Sequence, residues 1–246
     1  MNFTKVKKVN ISEQIAIRLR GLIITQEIKP QEKLPSERDL AKRFGTNRNT
    51  LREALKILER DGLINIRQGG GIEIKDFRRE GKINLLSAII KDTKDFKMKF
   101  EIILDSLRVR SAGLAEIARM AAEKRDRAQL KSIKESVQKI KENIGTDDHS
   151  RVYQLEMDFL KSIVEATNSM VLMWFFNTIK EITDDAFLEF SKLWNITDEY
   201  YTSIQKISTA IEKRNPEAAY LATREHFDNL DKKLFNLFKE VKDAQV

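Results

Sequence analysis

The chain has 246 residues, of which 41% are hydrophobic and 34% are charged, and its formal net charge is +7. It contains no cysteine, which excludes disulfide bonds and thiolate metal sites. No apolar run approaches the roughly 18–20 residues of a membrane-spanning helix, and the N-terminal residues lack the apolar core of a secretory signal. We therefore expect a cytoplasmic protein without a membrane partner.

The positive charge is concentrated in the first third of the chain. Residues 1–80 contain 18 basic and 11 acidic side chains, which accounts for the whole excess of seven. Residues 81–246 contain 27 of each sign. A basic module joined to an electrically neutral one predicts a polyanion partner for the first module only.

Glycine and proline are also unevenly distributed. Seven of the nine glycines and two of the three prolines lie at or before Gly81. This distribution predicts short elements and turns first, and long helices afterwards. We predict a first domain over residues 1–76, a linker over 77–90 and an all-helical domain over 91–246.

The first domain is predicted to contain three helices and a β-hairpin. The first helix is capped by Ser12, the second begins at Ser36, and the third runs over about residues 47–60 and is closed by Gly62. Isoleucines alternate with polar residues on both sides of the glycines at 69–71, which predicts a hairpin. Three helices and a small hairpin make a winged helix-turn-helix.

The second domain has apolar residues at helical spacing throughout. Residues 159–182 are apolar nearly all round, as a central buried pair of helices would be. We expect Trp174, Phe175 and Phe176 in this core rather than in a cofactor site. The predicted fold is therefore mainly α, with a winged helix-turn-helix followed by an all-helical bundle.

The predicted third helix begins with polar and basic side chains. A recognition helix contacts base edges and phosphates with its first turn, so that turn cannot be apolar. Arginine reads guanine and asparagine reads adenine by paired hydrogen bonds, whereas threonine and helix N-terminal amides suit phosphate oxygens. The glycine tip of the hairpin can approach DNA without side-chain obstruction. The predicted DNA-binding residues are Arg38, Asn47, Arg48, Asn49, Thr50, Arg52, Gln68, Gly69 and Gly70.

Each of these features has an ordinary explanation when taken alone. A single surface arginine is usually only solvated, and three glycines usually form a loop. A phosphate-binding loop is excluded because no Lys-Ser/Thr pair follows Gly71. Their combination on the basic third of the chain favours contact with double-stranded DNA.

The stretch "KLPSERDLAKRFGTNRNTLREALKILERDGLINIRQGGGIEI" resembles the DNA-binding domain of the GntR family of bacterial transcription regulators. The resemblance covers about residues 10–76. It implies DNA contact by Arg38, Arg48, Asn49, Thr50, Arg52 and the wing tip at 68–70. Gly70 stands where some members of the family have a basic residue.

The second domain resembles the helical FCD-type effector domain of the FadR subgroup of that family. The similar segments are "DSLRVRSAGLAEIARMAA", "EMDFLKSIVEATNSMVL" and "STAIEKRNPEAAYLATREHF". Many members bind a divalent metal through one Asp and three His. The corresponding positions here are Glu156, Leu160, Ile204 and His226, and two aliphatic side chains cannot replace two imidazoles. We therefore expect no metal.

A small-molecule effector is implied by the same resemblance. Metal-free members similar to the fatty-acid regulator FadR bind long-chain acyl-CoA, and Arg110 matches an arginine at that effector site. Glu225 and Lys232 differ from the residues of that regulator at the same positions. Two effector classes are therefore considered, an organic acid and an acyl-CoA. Arg110 either pairs with a carboxylate, such as that of Glu156, or binds an anionic ligand. The predicted effector-binding residues are Arg110, Glu156 and His226.

The expected function is a homodimeric, ligand-responsive transcription regulator that binds a palindromic operator. One helix-turn-helix reads one half-site, and two-fold symmetry supplies the second. One alternative is a sequence-neutral nucleic-acid-binding protein, although residues 36–75 hold only one aromatic side chain for base stacking. The other alternative is a metal-dependent helical enzyme. As metal ligands for such an enzyme the sequence contains two histidines and no cysteine. We expect no enzyme.

Overall fold

The computed structural model describes residues 10–67, 69–93, 95–190 and 195–243. The chain divides into two compact units, the first ending at Phe96 and the second beginning at Lys97. Helices make up most of both units, and the predicted mainly α fold with an N-terminal winged helix-turn-helix is confirmed. Among the described residues, no helix is both long and apolar enough to cross a bilayer.

The first unit has the helix-turn-helix order with a small antiparallel sheet. The sheet order is β1-β3-β2, in which the β2–β3 hairpin is the predicted wing and β1 comes from the extended connector before α2. Its elements are α1 (Ile11–Ile24), β1 (Lys33–Leu34), α2 (Glu37–Arg43), α3 (Arg48–Arg60), β2 (Ile64–Arg67), β3 (Gly71–Ile74), α4 (Phe77–Glu80) and α5 (Asn84–Asp92).

Local capping explains where these helices begin and end. The Ser36 hydroxyl accepts a hydrogen bond from the Asp39 amide at 3.2 Å, which starts α2 as predicted. Gly62 closes α3 with a left-handed φ of 80°. The predicted Ser12 cap is wrong: α1 begins at Ile11, so Ser12 already lies inside the first turn, and its hydroxyl donates to Asn10.

The core of the first unit lies between α1, α3 and the wing. Leu51, Leu55 and Leu58 of α3 are fully buried, and Ile23 of α1 packs in the same core. Burying each such side chain contributes about 1.5–3 kcal/mol. Residues 77–90, the predicted linker, form α4 and most of α5 in this unit. This core fixes the orientation of α3, whose opposite face is left in solvent.

The second unit is a bundle of six helices within the described residues. Its centre is α8, where Leu155 and Phe159 are buried in a core that also holds side chains of α7, α10 and α11. The helices are α6 (Phe96–Lys124), α7 (Arg127–Lys141), α8 (His149–Glu165), α9 (Met170–Phe190), α10 (Asp198–Glu212) and α11 (Pro216–Asp243).

The expectation of a central buried pair of helices holds for the apolar face of α8, which lies in the core, and is wrong for α9. Phe176 is buried as predicted, but Trp174 and Phe175 are 63% and 59% exposed. Met170 and Val171, one turn earlier, are also exposed. The physical reason is that α9 packs on α8 with one side only, while its other side faces solvent. We call Met170, Val171, Trp174 and Phe175 the α9 patch.

Candidate nucleic-acid interface and ligand site

The first turn of α3 is built by Asn47. Its backbone is extended, and its side-chain Oδ1 accepts a hydrogen bond from the Thr50 amide at 2.9 Å. A paired contact with adenine would need the same oxygen, so the cap and base reading compete for it. Arg48 and Asn49, the next two residues, are exposed. The structure therefore gives Asn47 a helix-starting role that the sequence did not indicate.

Arg52 is anchored on the neighbouring helix. Its Nε donates to Glu37 Oε2 of α2 at 2.7 Å, and its side chain is 58% exposed. Arg38, also on α2, has only a 3.8 Å ion pair with Asp39 and is 77% exposed. The exposed guanidinium groups of α2 and α3 are thus available to an anionic partner, and that of Arg52 is held in one position.

The wing tip requires its glycines. Gly69 and Gly71 have left-handed φ angles of 76° and 88°, and the Gly70 amide closes the turn on the Arg67 carbonyl at 3.0 Å. A Cβ on Gly70 would lie 2.9 Å from the Arg67 Cβ, so a basic side chain there would force the turn to shift. Gln68 lies outside the described residues. Arg67 itself, 67% exposed beside the tip, is a basic wing residue that the sequence reasoning missed.

The second unit contains a buried polar cluster formed by three helices. Glu156 comes from α8, Tyr200 and Ser203 come from α10, and His226 comes from α11. Glu156 and His226 are 1% and 2% exposed. The Ser203 hydroxyl and His226 Nδ1 lie 2.6 Å apart, and the Tyr200 and His226 rings meet edge to face. We call these four residues the polar cluster.

Burial controls the protonation of this cluster. Burial, and after it the positive charges of Arg110 and Lys233, lower the pKa of His226 from 6.5 to about 3, so the imidazole is neutral at neutral pH. Burial, and next the Glu156 carboxylate, raise the pKa of Tyr200. Within the described residues, His226 Nε2 is buried without a hydrogen-bond partner.

Arg110 joins this cluster from α6. Its Nη2 donates to Asp231 Oδ1 at 2.6 Å, and its guanidinium carbon lies 4.7 Å from the centre of the Phe227 ring. The expected carboxylate partner therefore exists, and it is Asp231. The structure brings the predicted Arg110, Glu156 and His226 together around Tyr200. Sequence reasoning missed Asp231, although its spacing of four from Phe227 places both on one face of α11.

A divalent metal does not fit this donor set. Of the four positions implied by the family resemblance, Leu160 and Ile204 are buried aliphatic side chains, which leaves one carboxylate and one imidazole. Across the part of the chain that the structure describes, no three His, Asp or Glu side chains are grouped to hold a metal ion.

Comparison with known families matches both units. The profile "Bacterial regulatory proteins, gntR family" matches residues 11–74, and the profile "FCD domain" matches residues 105–229. The chain belongs to the GntR family of bacterial transcriptional regulators. It is thus a DNA-binding transcription regulator with an FCD domain and not an enzyme.

Relatives of this GntR-family regulator align over most of its length. The HTH-type transcriptional regulator Mce2R of Mycobacterium tuberculosis is 24% identical and covers 92% of both chains. LutR of Bacillus subtilis is 27% identical over 89% of this chain and 99% of its own. The solved structure titled "Lar controls the expression of the Listeria monocytogenes agr system and mediates virulence" covers 95% of this chain and 100% of its own, with 15% identity and a TM-score of 0.51. This last similarity concerns the fold alone.

Proposed function

We propose that this regulator belongs to the FadR subgroup, acts in the cytoplasm as a homodimer, binds a palindromic operator and releases or tightens it in response to a small-molecule effector. The observation that carries the proposal is the first turn of α3, where Arg48 and Asn49 are exposed on a helix whose other face is fully buried. Residues 1–76 would bind DNA, residues 77–90 would connect the domains, and residues 91–246 would bind the effector.

The DNA contacts divide into two kinds. Arg48 and Asn49 read base edges in the major groove, because they project from the first turn of the recognition helix. The Thr50 hydroxyl and the guanidinium groups of Arg38 and Arg52 contact phosphates, which position the helix without reading sequence. Asn47 contributes mainly by starting the helix. The wing contributes its tip at 68–70, where the backbone of Gly69 and Gly70 can approach the DNA closely.

The α9 patch supports a dimer. Its four side chains are spaced for one face of a helix, and monomeric proteins rarely expose a contiguous apolar surface of this kind. A second copy related by two-fold symmetry would cover it with the same four side chains. The dimer would place two recognition helices about 34–36 Å apart, one turn of DNA.

The effector site we propose comprises Arg110, Glu156 and His226 of the FCD domain. It combines a cation, a buried carboxylate and a neutral imidazole under apolar walls, which suits a small organic acid better than a metal ion. The effector would shift the dimer between geometries that match and do not match the half-site spacing.

Selection of operators from random duplex DNA tests this proposal directly. The full-length protein is expected to enrich a palindrome, and native mass spectrometry is expected to show two subunits on it. A selected palindrome should outcompete random duplex by a factor of at least about a thousand at physiological salt. Equal competition by random duplex, or a single subunit on the selected DNA, would contradict the proposal.

A further inference from the structure

Helices α6 and α11 lie side by side and antiparallel in the helical unit. Phe100 near the start of α6 packs on Phe235 near the end of α11, with ring centres 5.8 Å apart. At the other end of the seam, Arg119 stacks on Tyr220 at 4.6 Å. Between these aromatic contacts the seam is polar.

Two polar contacts form this middle section. Arg110 donates to Asp231 at 2.6 Å, and the Ser111 hydroxyl donates to Asp228 at 3.2 Å. Both carboxylates come from α11, one turn apart, and that of Asp231 pairs with Arg110. Asp228 has Arg224 of its own helix as a further partner at 3.4 Å.

The Arg110–Asp231 pair lies beside an opening at the protein surface. On the inner side, the charge of Arg110 acts on Tyr200 and His226 of the polar cluster. On the outer side, an open depression of about 490 Å³ reaches the Asp231 side chain. The residues lining this depression are Arg108, Asp228, Asp231, Lys232, Phe235 and Asn236. The Arg110 and Asp231 side chains are 20% and 18% exposed, so a ligand entering here can reach the ion pair.

The Asp231 carboxylate is held under unfavourable conditions. Burial raises its pKa, and the opposing effect of Arg110 does not restore the ordinary value. The negative charge of Asp231 would therefore be more stable in water than in this position. Lys232 and Arg108 at the opening would attract an incoming anion, and the exposed ring of Phe235 offers it an apolar wall.

We propose that Asp231 occupies the place of the effector's own carboxylate on Arg110, and that a small organic acid with a short apolar body binds by displacing it. This inference rests on the proposed effector response. It adds the class of ligand and the displacement of Asp231 as the event that starts the response. The group that Arg110 now holds is itself a carboxylate beside the Phe227 ring, so the position already fits that chemistry. Displacement removes one of the polar ties between α6 and α11, which is how occupancy would be passed to α11.

The test measures butyrate binding by titration calorimetry on full-length protein without DNA. When the competent state of a two-state protein is 0.1–10% populated, as is common, removing the competitor tightens binding by at least about tenfold. We therefore expect Asp231→Asn to bind butyrate at least about tenfold more tightly than the wild type. Glu217→Gln, the matched control, removes an α11 carboxylate that pairs with Arg119 of α6 away from the opening and should stay within about twofold, whereas Arg110→Gln should lose binding. Butyramide, the neutral analogue, and inorganic phosphate should bind neither protein.

A second measurement needs no variant. Saturating butyrate should speed amide hydrogen exchange around residues 228–235 of the wild-type protein, whereas butyramide should not. The proposal is overturned if Asp231→Asn binds butyrate no more tightly than the wild type, which is the result of a purely structural ion pair, or if butyramide binds equally well. It is also overturned if butyrate binds but leaves exchange in α11 unchanged. Operator selection on the same preparation distinguishes failure of this proposal from failure of the proposed function, because the protein can select an operator and still not bind butyrate.

Discussion

Arg20 of α1 and Asp61, the residue that ends the recognition helix α3, form a buried ion pair with an Nη2–Oδ2 distance of 2.9 Å. Their side chains are 4% and 2% exposed. The same guanidinium also pairs with Asp92 at the end of α5. One cation thus ties three helices of the DNA-binding unit together and fixes the end of α3 opposite to its polar first turn.

The Asp61 pair should matter for stability. Removing one partner of a buried pair leaves an incompletely compensated charge, which destabilises by about 3–5 kcal/mol. We expect Asp61→Asn to lower the free energy of unfolding by about 3 kcal/mol, because Asp92 remains as a partner of Arg20. Urea unfolding measures this loss. Asp92→Asn is the matched control and should lose less, since Asp92 is 19% exposed. Equal losses of stability in the two variants would show that burial does not decide how much each ion pair contributes.

Arg48 should carry base reading. We expect Arg48→Ala to lower affinity for the selected operator by about 1–3 kcal/mol without affecting the fold, because a paired arginine–guanine contact is lost. Gel-shift titration at fixed salt measures the change. Arg60→Ala is the control, since Arg60 is an exposed arginine about 18 Å away at the other end of α3. Unchanged affinity in Arg48→Ala would remove this residue from the reading surface.

Glu37 should fix the position of Arg52. Without its ion pair, Arg52 keeps its charge but loses its defined orientation, so Glu37→Gln should reduce the preference for operator over random duplex. The effect should not exceed about 1 kcal/mol, the usual contribution of an exposed pair. Competition assays measure the preference. Glu53→Gln, which removes an exposed acid paired with Lys56 on α3, should leave it unchanged.

His226 should make the protein less stable in acid. Its pKa is 6.5 when unfolded and about 3 when folded, so protons bind preferentially to the unfolded state as pH falls between these values. The stabilisation present above pH 6.5 is therefore lost at about 1.4 kcal/mol per pH unit. Urea unfolding from pH 7 to pH 4 should show a shallower decline in His226→Gln than in the wild type. His149→Gln, which changes the other histidine, serves as control, and identical slopes in all three proteins would refute the prediction.

The α9 patch should mediate dimerisation. Trp174→Arg places a charge in a surface that we propose to be covered by a second copy, and desolvating it would weaken association. Sedimentation velocity should then show a monomer where the wild type is a dimer. Leu221→Arg alters an equally exposed apolar side chain on α11 and should leave the dimer intact. A dimeric Trp174→Arg protein would place the interface elsewhere.

Local features of the DNA-binding unit could be predicted from the sequence because they depend on neighbouring residues. Alternation around the glycines at 69–71 predicted the wing, and Ser36 and Gly62 marked the helix ends. The Ser12 error has the same local origin, since a serine two residues from Asn10 gives a similar capping signal. The charge distribution and the polar first turn of α3 predicted a DNA partner without any tertiary information.

Contacts between distant residues were decided only by the tertiary structure. Arg110 could be recognised as a buried cation needing an anion, but its partner Asp231 lies 121 residues away. The apolar pattern of α9 gave no indication that one face would remain in solvent. Periodicity reports which side chains share a face of one helix, whereas the packing of whole helices determines what that face meets. The sequence by itself therefore determined the fold class and the polar, exposed first turn of α3, and helix packing decided the Arg110–Asp231 pair and the exposed α9 patch.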